Sequence, residues 1–196
     1  PRIFIRPYVY VSVFLFLGGI MKTEYEVKVL EVNHDEMVKK LEAMGALLVG
    51  EFNQKRYVYD LIPKEEDRWI RLRTNGDKTT LTIKQIKKQS IDGTKELEIV
   101  VDDFETTHNI LLSLGFREKG YQENRRIQYK LDGVEIDFDL WPMVPEYVEI
   151  EGNSEEEVIS ILNKLGIDLE NVCTLSVKSV YEKYGLDIDE YPILKF

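Results

Sequence analysis

The stretch Thr23-Glu24-Tyr25-Glu26-Val27-Lys28-Val29 decides the fold, because charged and apolar residues alternate along it as in a β-strand. Successive side chains of a strand point to opposite faces, so Glu24, Glu26 and Lys28 share one face. Two carboxylates and an ammonium group in a row are what a metal ion and a polyphosphate would need together. The exposed face of a solvated strand is the alternative interpretation of this segment taken alone.

The same period-two charge pattern recurs on five further predicted strands. The pairs are Arg71 and Arg73, Glu96 and Glu98, Asn124 and Arg126, Asp137 and Asp139, and Glu149 and Glu151. Ionic groups on a single face of six strands imply an enclosed, charged interior. The pattern therefore predicts a barrel lined for an anion and its cations.

Length, composition and charge indicate one soluble, cytoplasmic domain. The chain has 196 residues, of which 43% are hydrophobic and 32% charged, in the range of globular proteins. A formal net charge of -10 argues against nucleic acid as a partner, because a phosphate backbone would be repelled. Cys173 is the single cysteine, so no intramolecular disulfide forms, and a reducing cytoplasm fits. Without a Cys/His cluster of zinc spacing, any metal must be held by oxygen.

Residues 1–20 differ in character from the rest of the chain. The apolar run from Tyr8 to Ile20 is shorter than the roughly 20 residues that a membrane helix requires, and no small-residue cleavage site follows it. The first methionine is Met21. We therefore expect residues 1–20 to be an upstream or non-native apolar segment, residues 21–196 to form a single domain, and no membrane to be involved.

From Met21 onward, periodicity and turn signals predict eight strands and four helices. The strands are predicted at 22–32, 47–61, 69–74, 79–87, 95–101, 117–131, 134–140 and 146–151. The first two helices are predicted to start at the N-caps Asn33 and Asp103 and to end at Gly45 and Gly115. Ile110, Leu111 and Leu114 are predicted to face inward from the second helix. Two more helices, at 154–165 and 174–184, follow.

The order of elements contains an internal duplication. The pair Glu24 and Glu26, a helix, Gly45 and Arg56 correspond to the pair Glu96 and Glu98, a helix, Gly115 and Arg126. The arginine follows the glycine by eleven positions in both halves. Two related halves that close onto each other predict an α+β fold, a closed eight-stranded antiparallel β-barrel with helices packed outside. Such a barrel has room for one small ligand.

In its ordered motifs the chain resembles the CYTH superfamily, the triphosphate tunnel metalloenzymes, which include class IV adenylyl cyclases and thiamine triphosphatase. The resemblance covers 21–184 and is carried by the E-x-E-x-K of Glu24, Glu26 and Lys28, the R-x-R of Arg71 and Arg73, Lys84, the E-x-E of Glu96 and Glu98, Arg126, Asp139, and the E-x-E of Glu149 and Glu151. It implies a β-tunnel, dependence on Mg²⁺ or Mn²⁺, and substrates with a linear triphosphate. One departure is Asn124, which stands where many members have lysine.

The charged residues divide into two predicted roles. A triphosphate carries about four negative charges and must meet convergent cations in a cavity of low dielectric constant. The predicted substrate-binding cations are Lys28, Arg71, Arg73, Lys84, Arg126 and, from the last helix, Lys178; the predicted catalytic groups among them are Lys28, Lys84 and Arg126. The predicted metal ligands are Glu24, Glu26, Asp139, Glu149 and Glu151, because hard divalent ions prefer oxygen. Glu98 is either a spare ligand or the ion-pair partner of a tunnel arginine.

Three functions fit these residues. The first is metal-dependent hydrolysis of inorganic, organic or nucleoside triphosphates, and the second is a class IV adenylyl cyclase that makes cyclic AMP and pyrophosphate from ATP. The third is a non-catalytic module that binds polyphosphate or nucleotide. Trp69 and Trp141 could stack on a base, or simply pack at the rim. His34 and His108 lack catalytic partners and are predicted at the surface, and a homodimer is possible.

Overall fold

Eight long strands, one short strand and four helices make up the part of the chain that the computed structural model describes, residues 21–196. The predicted apolar segment 1–20 lies outside the described residues. The strands are β1 (Lys22–Leu30), β2 (Leu47–Glu65), β3 (Arg68–Thr74), β4 (Thr79–Ile86), β5 (Thr94–Val101), β6 (Glu118–Leu131), β7 (Val134–Leu140), β8 (Tyr147–Gly152) and β9 (Ile193–Leu194). The helices are α1 (His34–Ala43), α2 (Phe104–Ser113), α3 (Glu155–Leu165) and α4 (Val177–Lys183).

The long strands close into an antiparallel barrel, which confirms the predicted fold class. The order around the ring is β2-β3-β4-β5-β1-β8-β7-β6, and β6 pairs again with β2. In this register Lys28 lies opposite Glu149, and Arg126 lies opposite Asp139. Directly opposed residues of neighbouring strands share a face, so the ionic side chains of the period-two pattern meet inside the barrel.

Helices cover the outer surface of the barrel where the strands alternate to apolar residues. α1 and α3 pack over β1, β7 and β8 around a core that includes Val27, Leu41 and Ile150. The predicted N-caps are confirmed, since Asn33 accepts from the Glu36 amide at 3.2 Å and Asp103 accepts from the Thr106 amide at 2.6 Å. None of the helices in 21–196 is long and apolar enough to cross a membrane.

The packing of α2 corrects two predictions. Ile110 and Leu114 are 53% and 68% exposed, whereas Leu111 and His108 are buried. α2 packs on β2 and β3 through the stripe that holds Phe104, His108 and Leu111, which lie about one turn apart, so Ile110 and Leu114 point outward. The prediction that His108 lies at the surface is therefore wrong.

One strand extends well past its predicted end, and one strand was not predicted; the other strands end within two residues of the prediction. β2 continues to Glu65 instead of ending at Leu61, because it keeps pairing with β3 beyond a register shift between Asp60 and Glu65. β9 was not predicted, and it pairs in parallel with β6 at Tyr121 and Gln122. It belongs to the C-terminal segment that lies beside one end of the barrel.

Candidate active site

The barrel encloses a cavity of about 670 Å³, lined by residues from all eight long strands. This volume falls within the range of small-molecule sites. Every residue predicted for metal, substrate or catalysis lines it: Glu24, Glu26, Lys28, Arg71, Arg73, Lys84, Arg126, Asp139, Glu149, Glu151 and Lys178. The period-two pattern thus placed these side chains in one space, and their contacts divide that space into three clusters.

The acidic cluster consists of Glu24, Glu26 and Glu151. One carboxylate oxygen from each lies within 4.8 Å of the other two. Glu26 stands opposite Glu151 in the β1–β8 pair, and Glu24 shares the inner face of β1. Burial and the charges of Glu24 and Glu26 raise the pKa of Glu151 to about 8. Three converging carboxylates that repel one another fit a hard divalent cation, whose charge would relieve that repulsion.

Lys84 supplies the nearest positive charge to the acidic cluster. Its Nζ lies 2.8 Å from Oε2 of Glu24. Burial raises the pKa of Glu24, and Lys84 opposes that shift without cancelling it. Lys28 Nζ also lies 3.7 Å from Oε1 of Glu26. Two ammonium groups beside three carboxylates still leave the acidic cluster with excess negative charge when the carboxylates are ionised.

The second cluster is a buried ion-pair network around Arg126. Its Nε and Nη2 donate to Asp139 at 2.8 and 2.5 Å, its Nη1 donates to Asp137 at 2.6 Å, and its Nη2 also reaches Glu149 at 2.6 Å. Lys28 Nζ lies 3.1 Å from the other oxygen of Glu149. Burial alone would raise the pKa of Glu149, but Lys28 and Arg126 hold it well below its usual range. The carboxylates of Asp139 and Glu149 are thus bound to cations, and their role as metal ligands stays a prediction.

Asp137 completes this network, although it was not among the predicted site residues. Burial raises its pKa to about 7, and Arg126 opposes the shift. The period-two pattern had paired Asp137 with Asp139 on one face, and that pairing was the signal for its place in the network.

The third cluster, the arginine cluster, consists of Arg56, Arg71 and Arg73. Arg71 Nη2 lies 3.6 Å from Glu98 and 4.0 Å from Glu96. Within residues 21–196, Arg56 and Arg73 have no carboxylate within 4.0 Å. Burial and neighbouring guanidinium groups lower the pKa of Arg56 to about 9 and that of Arg73 to about 10. Positive charge is therefore in excess here, as an anion site requires.

Glu98 and Lys178 line the cavity outside the acidic cluster and the Arg126 network. Glu98 accepts from the Thr82 hydroxyl at 2.7 Å and pairs with Arg71, which favours its ion-pair role over that of a spare metal ligand. Lys178 lies on α4 with its side chain 44% exposed and its Nζ 2.5 Å from Asp189. It borders the cavity from the C-terminal segment rather than from the strands.

Arg56, like Asp137, was missed by the sequence-based site prediction. The internal duplication had matched Arg56 with Arg126, and its parity places it on the inner face of β2, but it stood alone without a charged neighbour at period two. The structure brings it beside Asn124 of β6, to which its Nη2 donates at 2.9 Å.

Comparisons with known proteins agree with this geometry. The protein named "Putative adenylate cyclase MJ0240" from Methanocaldococcus jannaschii is 26% identical over 176 residues, which cover 83% of this chain and 99% of that protein. The structure of the PH1012 protein from Pyrococcus horikoshii OT3 is 27% identical, with a TM-score of 0.69, and covers 80% of this chain and 98% of its own.

A plant protein shares the fold at lower identity. The Hippeastrum protein HpAC1, described as a "putative adenylyl cyclase" that "reveals a dominant" triphosphatase activity, is 17% identical with a TM-score of 0.57, over 85% of this chain and 97% of its own. The CYTH domain family, whose members are metal-dependent enzymes, matches residues 22–174. This chain, with its closed barrel and charged cavity, belongs to the CYTH domain family.

Proposed function

We propose that this protein is a metal-dependent hydrolase of triphosphate-containing substrates. One observation carries the proposal: a single cavity of about 670 Å³ contains both the acidic cluster and the arginine cluster. Three carboxylates beside only two ammonium groups attract a divalent cation. The guanidinium groups of Arg56 and Arg73, which have no carboxylate partner within the described residues, attract an anion. A linear triphosphate with its metal ion satisfies both at once.

The metal ion in this proposal is Mg²⁺ or Mn²⁺. Glu24, Glu26 and Glu151 would hold it, because both ions prefer carboxylate oxygens. A bound divalent ion supplies charge neutralisation to phosphate oxygens and Lewis-acid activation for hydrolysis. The acidic cluster fits such an ion by its oxygen donors, its convergence and its excess negative charge.

The protein's own cations bind and orient the phosphate chain. Arg71 and Arg73 leave β3 on the same face and can each bind phosphate oxygens in a bidentate manner, which lysine cannot do. Lys28, Lys84 and Arg126 are the proposed catalytic groups, since their fixed charges can stabilise the charge that develops in phosphoryl transfer. The carboxylates around Lys28 and Arg126 hold these cations in place before substrate binds.

An adenylyl cyclase of class IV is the second candidate. It is favoured by the name of the M. jannaschii relative and by Trp69 in the cavity lining, which could stack on a base, whereas Trp141 is buried beneath the Arg56 guanidinium. A cyclase must also activate a ribose hydroxyl, whereas hydrolysis needs only the cations, the metal ion and water. Hydrolysis therefore needs fewer functional groups than cyclisation, and we rank it first.

Product analysis separates the two candidates. We would incubate the purified full chain with tripolyphosphate or ATP and Mg²⁺ or Mn²⁺, and separate the products. Hydrolysis predicts turnover of tripolyphosphate at least as fast as that of ATP, with ADP and orthophosphate from ATP. Cyclic AMP and pyrophosphate from ATP, with tripolyphosphate untouched, would select the cyclase. Binding without any turnover would select the non-catalytic module.

Matched arginine variants test whether the cavity is the site. Arg71→Gln should lose roughly 2–4 kcal/mol of transition-state stabilisation, as expected when one preorganised charge contact leaves a dry site. Arg125→Gln is the control, because Arg125 lies on β6 beside Arg126 but points outward, with its guanidinium 4.6 Å from the Phe196 ring centroid. Equal loss in both variants would contradict a site inside the barrel.

A further inference from the structure

Arg56 is a buried cation whose side chain is held in place without a counter-charge. Its side chain is on the inner face of β2, and the residue is 7% exposed. Its guanidinium carbon lies 4.2 Å from the ring centroid of Trp141, and its Nη2 donates to Oδ1 of Asn124 at 2.9 Å. Within the described residues no carboxylate lies within ion-pair distance of it, and its buried Nε has no hydrogen-bond partner.

We propose that Arg56 is a substrate-binding residue, which binds the part of the phosphate chain that lies farthest from the metal ion. The proposal rests on the proposed function and adds to it a residue on a different strand from the R-x-R pair. Together Arg56, Arg71 and Arg73 form one anion subsite. Asn124 and Trp141 position the Arg56 guanidinium in that subsite.

The ring order places this subsite across the cavity from the acidic cluster. In the eight-stranded ring, β2 lies four places from β1, and β3 lies four places from β8. The strands that carry the arginine cluster therefore face the strands that carry Glu24, Glu26 and Glu151. A phosphate chain that reaches from one wall to the other contacts both clusters, whereas a single orthophosphate contacts one.

The contacts of Arg56 favour ligand binding over a purely structural role. A structural buried arginine normally has carboxylate partners, as Arg126 has three. Arg56 instead has neighbouring guanidinium groups, which oppose its charge along with burial and lower its pKa. Its two partners, an amide oxygen and an aromatic face, fix its orientation and leave its charge uncompensated. An anion in the cavity would compensate it.

Asn124 couples the subsite to the Arg126 network. Its Oδ1 accepts from Arg56, and its Nδ2 donates to Asp139 at 3.2 Å. Asn124 also stands opposite Gln54 in the β2–β6 pair, two residues from Arg56. A lysine at position 124 would therefore place an ammonium group next to the space that the Arg56 guanidinium occupies. This proximity provides a rescue experiment.

The test is calorimetric binding of tripolyphosphate and orthophosphate to the full chain without metal ions, in chelator, for wild type, R56Q, R71Q, R125Q and the double variant R56Q/N124K. We expect R56Q to weaken tripolyphosphate binding about 10-fold or more, the size of a lost charge-assisted contact. Orthophosphate binding should change less. R56Q/N124K should regain affinity, and R125Q should match wild type.

Thermal unfolding of the same free proteins separates binding from structure. Because Arg56 is repelled by its neighbours, R56Q should unfold at the same temperature as wild type or higher, while its stabilisation by added tripolyphosphate shrinks. A lower unfolding temperature in R56Q, with affinity not restored by N124K, would assign Arg56 a structural role and overturn the proposal. If R56Q does not fold, Arg56→Met keeps the volume without the charge and serves in its place.

The remaining outcomes distinguish this inference from the proposed function. If R56Q binds tripolyphosphate like wild type while R71Q does not, the role of Arg56 is overturned and the proposed function stands. If wild type itself fails to bind tripolyphosphate, with and without Mg²⁺ or Mn²⁺, both are overturned.

Discussion

The affinity for metal ions should depend on pH through the acidic cluster. Glu24, Glu26 and Glu151 are close enough to share an ion, and burial with the neighbouring charges raises the pKa of Glu151 to about 8. A metal ion binds the deprotonated carboxylate, so below this pKa it must displace a proton. Metal affinity should therefore fall as pH falls from about 8, well above the range of an ordinary glutamate.

The expected magnitude follows from that pKa. A carboxyl group with a pKa of about 8 is half ionised at pH 8 and about 1% ionised at pH 6, so the dissociation constant of Mn²⁺ should rise about 50-fold between the two. Titration of the full chain with Mn²⁺, followed by electron paramagnetic resonance of the free ion, measures it without any turnover. Glu151→Gln should bind Mn²⁺ more weakly and lose most of this pH dependence.

The same shift predicts the stability of the metal-free protein. A carboxyl group whose pKa is higher in the folded than in the unfolded chain stabilises the fold while it is protonated. The free energy of unfolding should therefore fall as pH rises from the ordinary value of 4.5 towards 8, and Mn²⁺ should restore it most at the upper end. Mn²⁺ affinity that is constant from about pH 6 to 8 would refute the argument that these carboxylates form the metal site.

Four substitutions test the other clusters. Arg126→Gln should lower the free energy of unfolding by about 3–5 kcal/mol in urea, since three buried carboxylates lose their cation. Tyr59→Phe should cost about 1–3 kcal/mol in the same assay, because its hydroxyl lies 2.6 Å from Nδ1 of buried His108. Lys178→Gln should raise the KM for tripolyphosphate only slightly, by a factor equivalent to less than about 1 kcal/mol of binding free energy, because Lys178 is exposed and paired with Asp189. Glu98→Gln should leave Mn²⁺ affinity unchanged and strengthen tripolyphosphate binding in calorimetry. Each substitution tests one contact: unchanged stability in Arg126→Gln or Tyr59→Phe, a loss above about 1 kcal/mol in Lys178→Gln, or weaker tripolyphosphate binding in Glu98→Gln would contradict the role given to that contact.

The barrel and its lining could be predicted because strand geometry is local. A charged residue at every second position fixes which face it occupies, so Glu24, Lys28 and Arg126 were placed inside from sequence alone. The N-caps Asn33 and Asp103 were equally readable, because a cap bonds a backbone amide only a few residues away.

The errors have a common physical cause, which is partner choice between distant segments. The sequence does not indicate which face of α2 packs on β2 and β3. Ile110 and Leu114 were therefore predicted to face the core, although the stripe that holds His108 does so. Arg56 escaped the site prediction for the same reason. Its place in the site depends on contacts with Asn124, 68 residues away in the sequence, and with Trp141.

Two of the three E-x-E pairs, on β1 and β5, show how neighbours decide the role of identical motifs. Glu24 and Glu26 lie on β1, whose neighbour β8 adds the carboxylate of Glu151, so negative charge accumulates and a cation is required. Glu98 lies on β5, whose neighbour β4 offers the Thr82 hydroxyl, and Arg71 reaches it from β3.

The charge of Glu98 is therefore compensated by an arginine and a hydroxyl rather than by a metal ion. Arg71 and Thr82 lower the pKa of Glu98, although burial alone would raise it, so Glu98 stays ionised and holds part of the charge of Arg71. Removing that charge frees Arg71 for phosphate, which is why Glu98→Gln should strengthen tripolyphosphate binding while Glu26→Gln abolishes metal binding. If Glu98→Gln weakened Mn²⁺ binding as Glu26→Gln does, residues of both pairs would be metal ligands. The separation of the acidic cluster from the arginine cluster would then be wrong.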